Sequence, residues 1–295
     1  MRATLPVLAA VAMACFAATV HAAAPGLPAG VAKPHMNNAA LKKLGWKLSC
    51  QAYTFREKTL FETIDTLQAL GFQYIELYPG QSFSPANPAP FDHNSSPAMV
   101  AELKKKLKAA HITAVNYGVV GLENNEADAR KVFDFAKSMK LQTIVSEPPE
   151  SAMPMLDKLC QEYGINVAIH NHPLPSHYAL PETELKALEG RSSRIGSCSD
   201  TGHWYRSGRV PVECLRQMKG HIISLHFKDL NAQKEDAPWG TGVLDVPAML
   251  AELKSQGVRP VFSIEYESTT GDALVGNVAK CCQFFSDQAT LLARG

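Results

Sequence analysis

Six stretches of the 295-residue chain place ionisable side chains at the end of an apolar run. They are Ile75-Glu76-Leu77, Val145-Ser146-Glu147, Ile169-His170-Asn171-His172, Ser199-Asp200-Thr201-Gly202-His203, Leu225-His226-Phe227-Lys228-Asp229 and Ile264-Glu265-Tyr266-Glu267. A single glutamate there is ordinarily solvated, and a single histidine is more often a hydrogen-bonded core residue than a ligand. Several such groups facing one cavity are different, because buried charge is costly unless something compensates it. A divalent cation does so. Glu147, Asp200, His226 and Glu265 offer three carboxylates and one imidazole, a donor set for Mn²⁺ first, with Mg²⁺, Co²⁺ or Zn²⁺ behind it. His170 and His172 stand two apart and so share one side of a strand. One reaches the metal and the other a substrate hydroxyl, with His172 the first choice for the metal. His203 lies about one helical turn after Asp200. Lys228, two after His226, is placed to hold a carbonyl or a developing oxyanion. The candidate catalytic groups are therefore Glu147, Glu265, His203 and Lys228, acting by proton transfer and charge stabilisation. The candidate substrate contacts are Glu76, His170, Tyr117 and Trp239. Among aromatics near strand ends or loops (Tyr53, Phe55, Tyr117, Trp204, Trp239), Trp239 is preferred for stacking on a substrate ring, because it precedes Gly240-Thr241-Gly242.

A repeated unit must position these residues. Amphipathic helical patterns end near a glycine or a polar turn, and short apolar strands follow, as in Leu67 to Phe72 before Tyr74-Ile75-Glu76-Leu77. Strands alternating with helices predict βαβ units and a parallel sheet. Eight strand starts are expected near Lys47, Gln73, Thr113, Gln142, Asn166, Arg194, His221 and Pro260. Eight units in one domain predict an α/β fold of the (β/α)8 TIM-barrel type, whose functional residues gather at the C-terminal strand ends. The helices after the fifth and sixth strands are expected to be short. No Gly-x-Gly-x-x-Gly follows the first strand, which removes a dinucleotide site.

Residues 1–22 read as a cleaved signal peptide. Arg2 precedes an apolar run, and Val20-His21-Ala22 fits a small-x-small cleavage site. A secreted or periplasmic location follows, with no membrane span. Residues 23–45 read as a flexible tether and 46–295 as the barrel. The mature part carries Cys50, Cys160, Cys198, Cys214, Cys281 and Cys282, with no Cys-x-x-Cys spacing, and their pairing is not legible. A net charge of +1 provides no basic field for nucleic acid, so a neutral small molecule is the expected partner. Barrels of this kind often associate into homo-oligomers, but no interface signal stands out.

Asp200-Thr201-Gly202-His203, His226-Phe227-Lys228-Asp229, Gly240-Thr241-Gly242-Val243-Leu244-Asp245, Glu265 and Ile75-Glu76-Leu77-Tyr78, in this order, resemble the xylose isomerase-like TIM barrel superfamily of sugar phosphate isomerases and epimerases. The resemblance runs from about Leu48 to Phe285. It implies Asp200, His226 and Glu265 as metal ligands, His203 as a substrate contact, and a sugar isomerase or epimerase. The substrate would be a free sugar, keto-sugar or cyclitol. Alternatives are a lyase, dehydratase or hydrolase on an oxidised glycoside or cyclitol, or a non-catalytic sugar-binding barrel. One departure stands out. Ketose epimerases carry a ligand glutamate at the end of strand five, where this chain has His170. Either Glu147 takes that place or His170 binds the ion itself. The AP-endonuclease branch draws metal histidines from strands two and three, where this chain offers Glu76 and Tyr117.

Overall fold

The computed structural model describes residues 26–294. The expected signal peptide and its cleavage point lie outside them. Eight parallel strands close a barrel: β1 Lys47–Gln51, β2 Tyr74–Leu77, β3 Thr113–Tyr117, β4 Thr143–Ser146, β5 Asn166–His170, β6 Ile195–Asp200, β7 Ile222–Phe227 and β8 Val261–Ile264. Each is paired with its neighbours in chain order, and β8 pairs with β1 to complete the ring. Every strand begins within a residue of its expected start. Helices α1 Asn38–Leu44, α2 Leu60–Leu70, α3 Pro97–Ala110, α4 Glu126–Met139, α5 Met153–Tyr163, α6 Pro181–Leu188, α7 Thr201–Arg206, α8 Pro211–Gln217, α9 Val246–Gln256 and α10 Gly271–Arg294 complete the order.

Local chemistry explains the alternation. Thr59 and Glu62 cap the start of α2 reciprocally, each side chain taking the other residue's backbone N–H. Gly71 then turns the chain left-handed (φ 87°) and sends it into β2. Facing the helices, the strands bury Ile75, Ile144, Val167, Ile169, Leu225 and Phe262 in the main apolar core. Facing inward, Val145, Ala168 and Cys198 form a separate, smaller cluster.

The stretch 26–45 is not the expected tether. Its α1 lies along α10, where the Asn37 backbone N–H donates to Ser286 Oγ (2.8 Å) and Asn37 Nδ2 to Thr290 Oγ1 (2.9 Å). Trp46 then packs between Phe262 and Phe285, which ties this segment to the core. Among the described residues no helix is long and apolar enough to cross a membrane.

One buried group carries a stability prediction. Glu184 of α6 is fully buried, and neither carboxylate oxygen meets a hydrogen-bond partner. Burial pushes its carboxyl up to about 8. Unfolded, the group ionises near 4.5. Between those values the folded protein holds a proton that the unfolded chain has released, so stability falls as pH rises through this window. Glu184→Gln removes the effect. It should stabilise the protein by about 3 kcal/mol at pH 7 relative to pH 4.5, on 1.4 kcal/mol per pH unit. Thermal melts of both proteins from pH 4 to 8 check this, and parallel pH profiles would refute it.

Candidate metal centre

The C-terminal ends of the strands hold the chemistry, and each side chain is set by neighbours that leave one atom free. Asp200 ends β6 and caps α7, its Oδ1 accepting the His203 backbone N–H at 2.7 Å. Asn171 clasps the Asp200 backbone, accepting its N–H (2.7 Å) and donating to its carbonyl (3.0 Å). Oδ2 is thereby left pointing to the centre with no hydrogen-bond partner.

The two buried imidazoles are oriented in the same way. His226 on β7 places Nε2 against Glu76 Oε1 at 2.8 Å and leaves Nδ1 unpartnered, 3.2 Å from Glu265 Oε2. His170 on β5 places Nδ1 3.4 Å from Glu147 Oε1 and leaves Nε2 unpartnered, 3.7 Å from Asp200 Oδ2. A carboxylate behind an imidazole fixes its tautomer and turns its lone pair forward, the usual support of a metal-bound histidine. His170, Asp200, His226 and Glu265 each offer a donor atom, all within 4.8 Å of one another, and all four residues are buried. Three unpartnered buried polar atoms on a two-imidazole, two-carboxylate set fit a divalent transition metal.

Around this set stand three further groups. Lys228 is buried, with Nζ 3.1 Å from Asp200 Oδ2 and 2.8 Å from both Glu265 Oε2 and Glu267 Oε2. Burial opposes its charge, but these carboxylates hold its ammonium well above the usual range. His203 Nδ1 lies 3.1 Å from Arg206 Nη1. Guanidinium only donates, so Nδ1 accepts and the proton sits on Nε2, which faces Asp200 Oδ2 at 3.5 Å. Burial pushes this imidazole down to about 3, so it is neutral at pH 7. Glu147 is paired with His172 Nδ1 and also accepts from the His172 backbone (3.2 Å) and Ser176 Oγ (3.0 Å). Burial raises the Glu147 carboxyl, but bonds to His170 and His172 win and hold it below the usual range.

The xylose isomerase-like TIM barrel model matches residues 64–285, three quarters of the chain. This chain is a xylose isomerase-like TIM barrel. An uncharacterised protein from Parabacteroides distasonis superposes with a TM-score of 0.67 at 34% identity, over 82% of this chain and 98% of that one. An IolI protein with a bound zinc atom has the same fold (TM-score 0.64, 18% identity, 83% and 98% covered). Inosose dehydratase of Mesomycoplasma hyopneumoniae is 33% identical over 78 residues, a match spanning 26% of either chain.

Within this xylose isomerase-like barrel several expected positions shift. His170, expected to touch substrate, joins Asp200, His226 and Glu265. Glu147 and His172, expected as ligands, fall outside that group and form a second one with His170. With two nitrogens among four donors, the earlier preference for Mn²⁺ over Zn²⁺ loses its basis. Glu76, expected to touch substrate, lies behind His226. It is fully buried beneath the site, where Gln51, Asn116, Ser263 and His226 surround its carboxylate. Tyr117 points outward, its ring on Phe135 and its hydroxyl on His93, while Asn116 takes the inner face. Trp239 is buried against Phe227 and Phe285 and offers no face to a sugar. The loop after it is clamped by Asp229, whose carboxylate accepts the N–H groups of Gly240 and Gly242, both at 2.9 Å. Of the aromatic candidates Tyr53 remains accessible, 39% exposed and edge-on to Tyr78. No role was expected for Glu267, Asn171 or Arg206. Glu267 and Asn171 lay within the strand-end motifs, beside Glu265 and His170, while Arg206 had no signal.

Proposed function

We propose that this barrel transfers a proton next to the carbonyl of an unphosphorylated keto-sugar, oxidised glycoside or cyclitol, isomerising or epimerising it. The observation that carries the proposal is the convergence of unpartnered His170 Nε2, Asp200 Oδ2 and His226 Nδ1 with the Glu265 carboxylate. His170, Asp200, His226 and Glu265 would hold a divalent ion, which would supply Lewis-acid polarisation of a substrate oxygen. The specific ion belongs to the proposal: Zn²⁺ and Mn²⁺ both suit the donors.

The chain's own groups supply the rest. Glu265 has a carboxylate oxygen besides Oε2, and its carboxyl is held well below the usual range by Lys228 and His226 against the push of burial, so it is ionised and able to take a proton. The Lys228 ammonium and the His203 Nε2–H put positive charge where a carbonyl oxygen gains electrons. Glu147 with His172, whose imidazole is pushed up by its bond to Glu147, stands at the opposite rim as a proton carrier. Export through residues 1–22 belongs to the same reading, since free sugars are available outside the cell.

A second reading, dehydration or elimination, is favoured by one observation. His170 replaces the glutamate that epimerases place opposite the strand-eight glutamate, so a carboxylate base stands on one side of the site and an imidazole on the other. Incubation in D₂O with 2- and 3-keto-sugars, their glycosides and inososes, followed by NMR and mass spectrometry, tests both readings. Isomerisation or epimerisation gives solvent deuterium in a product of unchanged skeleton, and elimination gives loss of water or of the aglycone. No exchange on any of these substrates, with the ion present, would overturn the shared proton-transfer step.

A further inference from the structure

We propose that Lys228 is a built-in counter-cation that competes with the divalent ion for Asp200 and Glu265, and withdraws to Glu267 as its resting partner when the ion binds. This rests on the metal reading above and adds a regulator of loading to it.

The atoms decide it. The ammonium addresses Asp200 Oδ2 and Glu265 Oε2, one of which has no hydrogen-bond partner of its own. Asp200 Oδ2 is also the oxygen its capping role leaves free for the ion. The three contacts of the ammonium are not equivalent. The one to Glu267 Oε2, 2.8 Å, has hydrogen-bond geometry, whereas those to Asp200 and Glu265 are charge contacts without it. Charge contacts are replaced by a divalent ion without loss of a directed bond, and the directed bond to Glu267 survives the exchange. Three carboxylates within about 3 Å of one ammonium leave a net negative charge, which a divalent ion then neutralises.

The chain makes room for this lysine. A Cβ on Gly202 would lie 2.9 Å from Lys228 Cδ and 3.0 Å from its Cβ, so glycine there opens the corridor for the aliphatic stem. Thr201 Oγ1 holds both backbone groups of Lys228, donating to its carbonyl (3.0 Å) and accepting its N–H (2.9 Å). Thr201-Gly202 and Lys228 are thus one device, with Glu267 as its hydrogen-bonded anchor.

Isothermal titration calorimetry with Mn²⁺ and with Zn²⁺ at fixed pH, on the full chain and on Lys228→Met, Glu267→Gln and the double variant, tests it. Lys228→Met should bind the ion at least about tenfold more tightly, because its competitor is gone. Glu267→Gln should bind more weakly, because the ammonium then has nowhere else to rest. In the double variant the Glu267→Gln effect should vanish. Equal or weaker binding by Lys228→Met, or a Glu267→Gln effect that persists undiminished in the double variant, overturns the exchange, the second outcome indicating a simple field effect. Should Lys228→Met not fold, unchanged or tighter binding by Glu267→Gln overturns it alone. If the unmodified protein binds neither ion, the metal reading itself has failed, which is a different result from a normal affinity that Lys228 does not influence.

Discussion

Glu265→Gln is expected to lower turnover by at least about a thousandfold while the barrel stays folded, because the change keeps the shape of the side chain and removes its charge. Three roles end together. The carboxylate is one of the buried donors around the centre, it faces His226 Nδ1 at 3.2 Å, and it lies 2.8 Å from the Lys228 ammonium. The amide keeps a carbonyl oxygen for an ion but has neither the basicity to take a carbon-bound proton nor the charge to hold the ion tightly. Metal content after dialysis should fall along with activity, and unchanged circular dichroism would separate this from unfolding. Turnover within a few-fold of the unmodified protein on the true substrate would remove Glu265 from the mechanism.

Asp229→Ala is expected to destabilise the fold by roughly 4 kcal/mol or more, since each buried donor left without a partner costs about 1–3 kcal/mol. Asp229 is fully buried, and its two oxygens accept four backbone N–H groups: Leu230 (2.9 Å), Gly240 (2.9 Å), Gly242 (2.9 Å) and Leu244 (3.2 Å). The loop is built around that carboxylate, and a Cβ on Gly242 would lie 2.3 Å from Asp229 Oδ1. Differential scanning calorimetry should show a melting temperature lower by about 10 °C, at a few degrees per kcal/mol for a chain of this size. Asp229→Asn keeps one accepting oxygen but aims an amide at the remaining donors, so it should fall between. A loss under about 2 °C for Asp229→Ala would mean the loop finds other partners.

The strands were legible because each is a short apolar run bounded by a turn signal, and because parallel closure sends every strand end to one face. That topology also made Asp200, His226 and Glu265 legible, since a residue ending a strand has few places to point. The fourth donor was not, for a specific reason. His170 and His172 share a face only while the strand continues, and β5 stops at His170. His172 is therefore in a loop, free to turn to Glu147. Tyr117 was misplaced by one residue of alternation, which puts Asn116 inward and the ring out. Trp239 was misplaced because its loop is positioned by Asp229, a contact made across ten residues and invisible in local spacing. The role of Glu76 depends on which nitrogen of His226 faces it, and no sequence pattern encodes that. The segment 26–45 has the composition of a linker, yet it docks through Asn37 on residues more than two hundred positions away.

All six cysteines among the described residues are buried and unpaired. Burial pushes their thiols up, Cys160, Cys214 and Cys281 to about 12 and Cys50 and Cys282 upward as well. A thiol reacts as its thiolate, so these sulfurs are chemically silent while the barrel is closed. Among the described residues the barrel therefore closes on packing and hydrogen bonds, with no cross-link between its sulfurs.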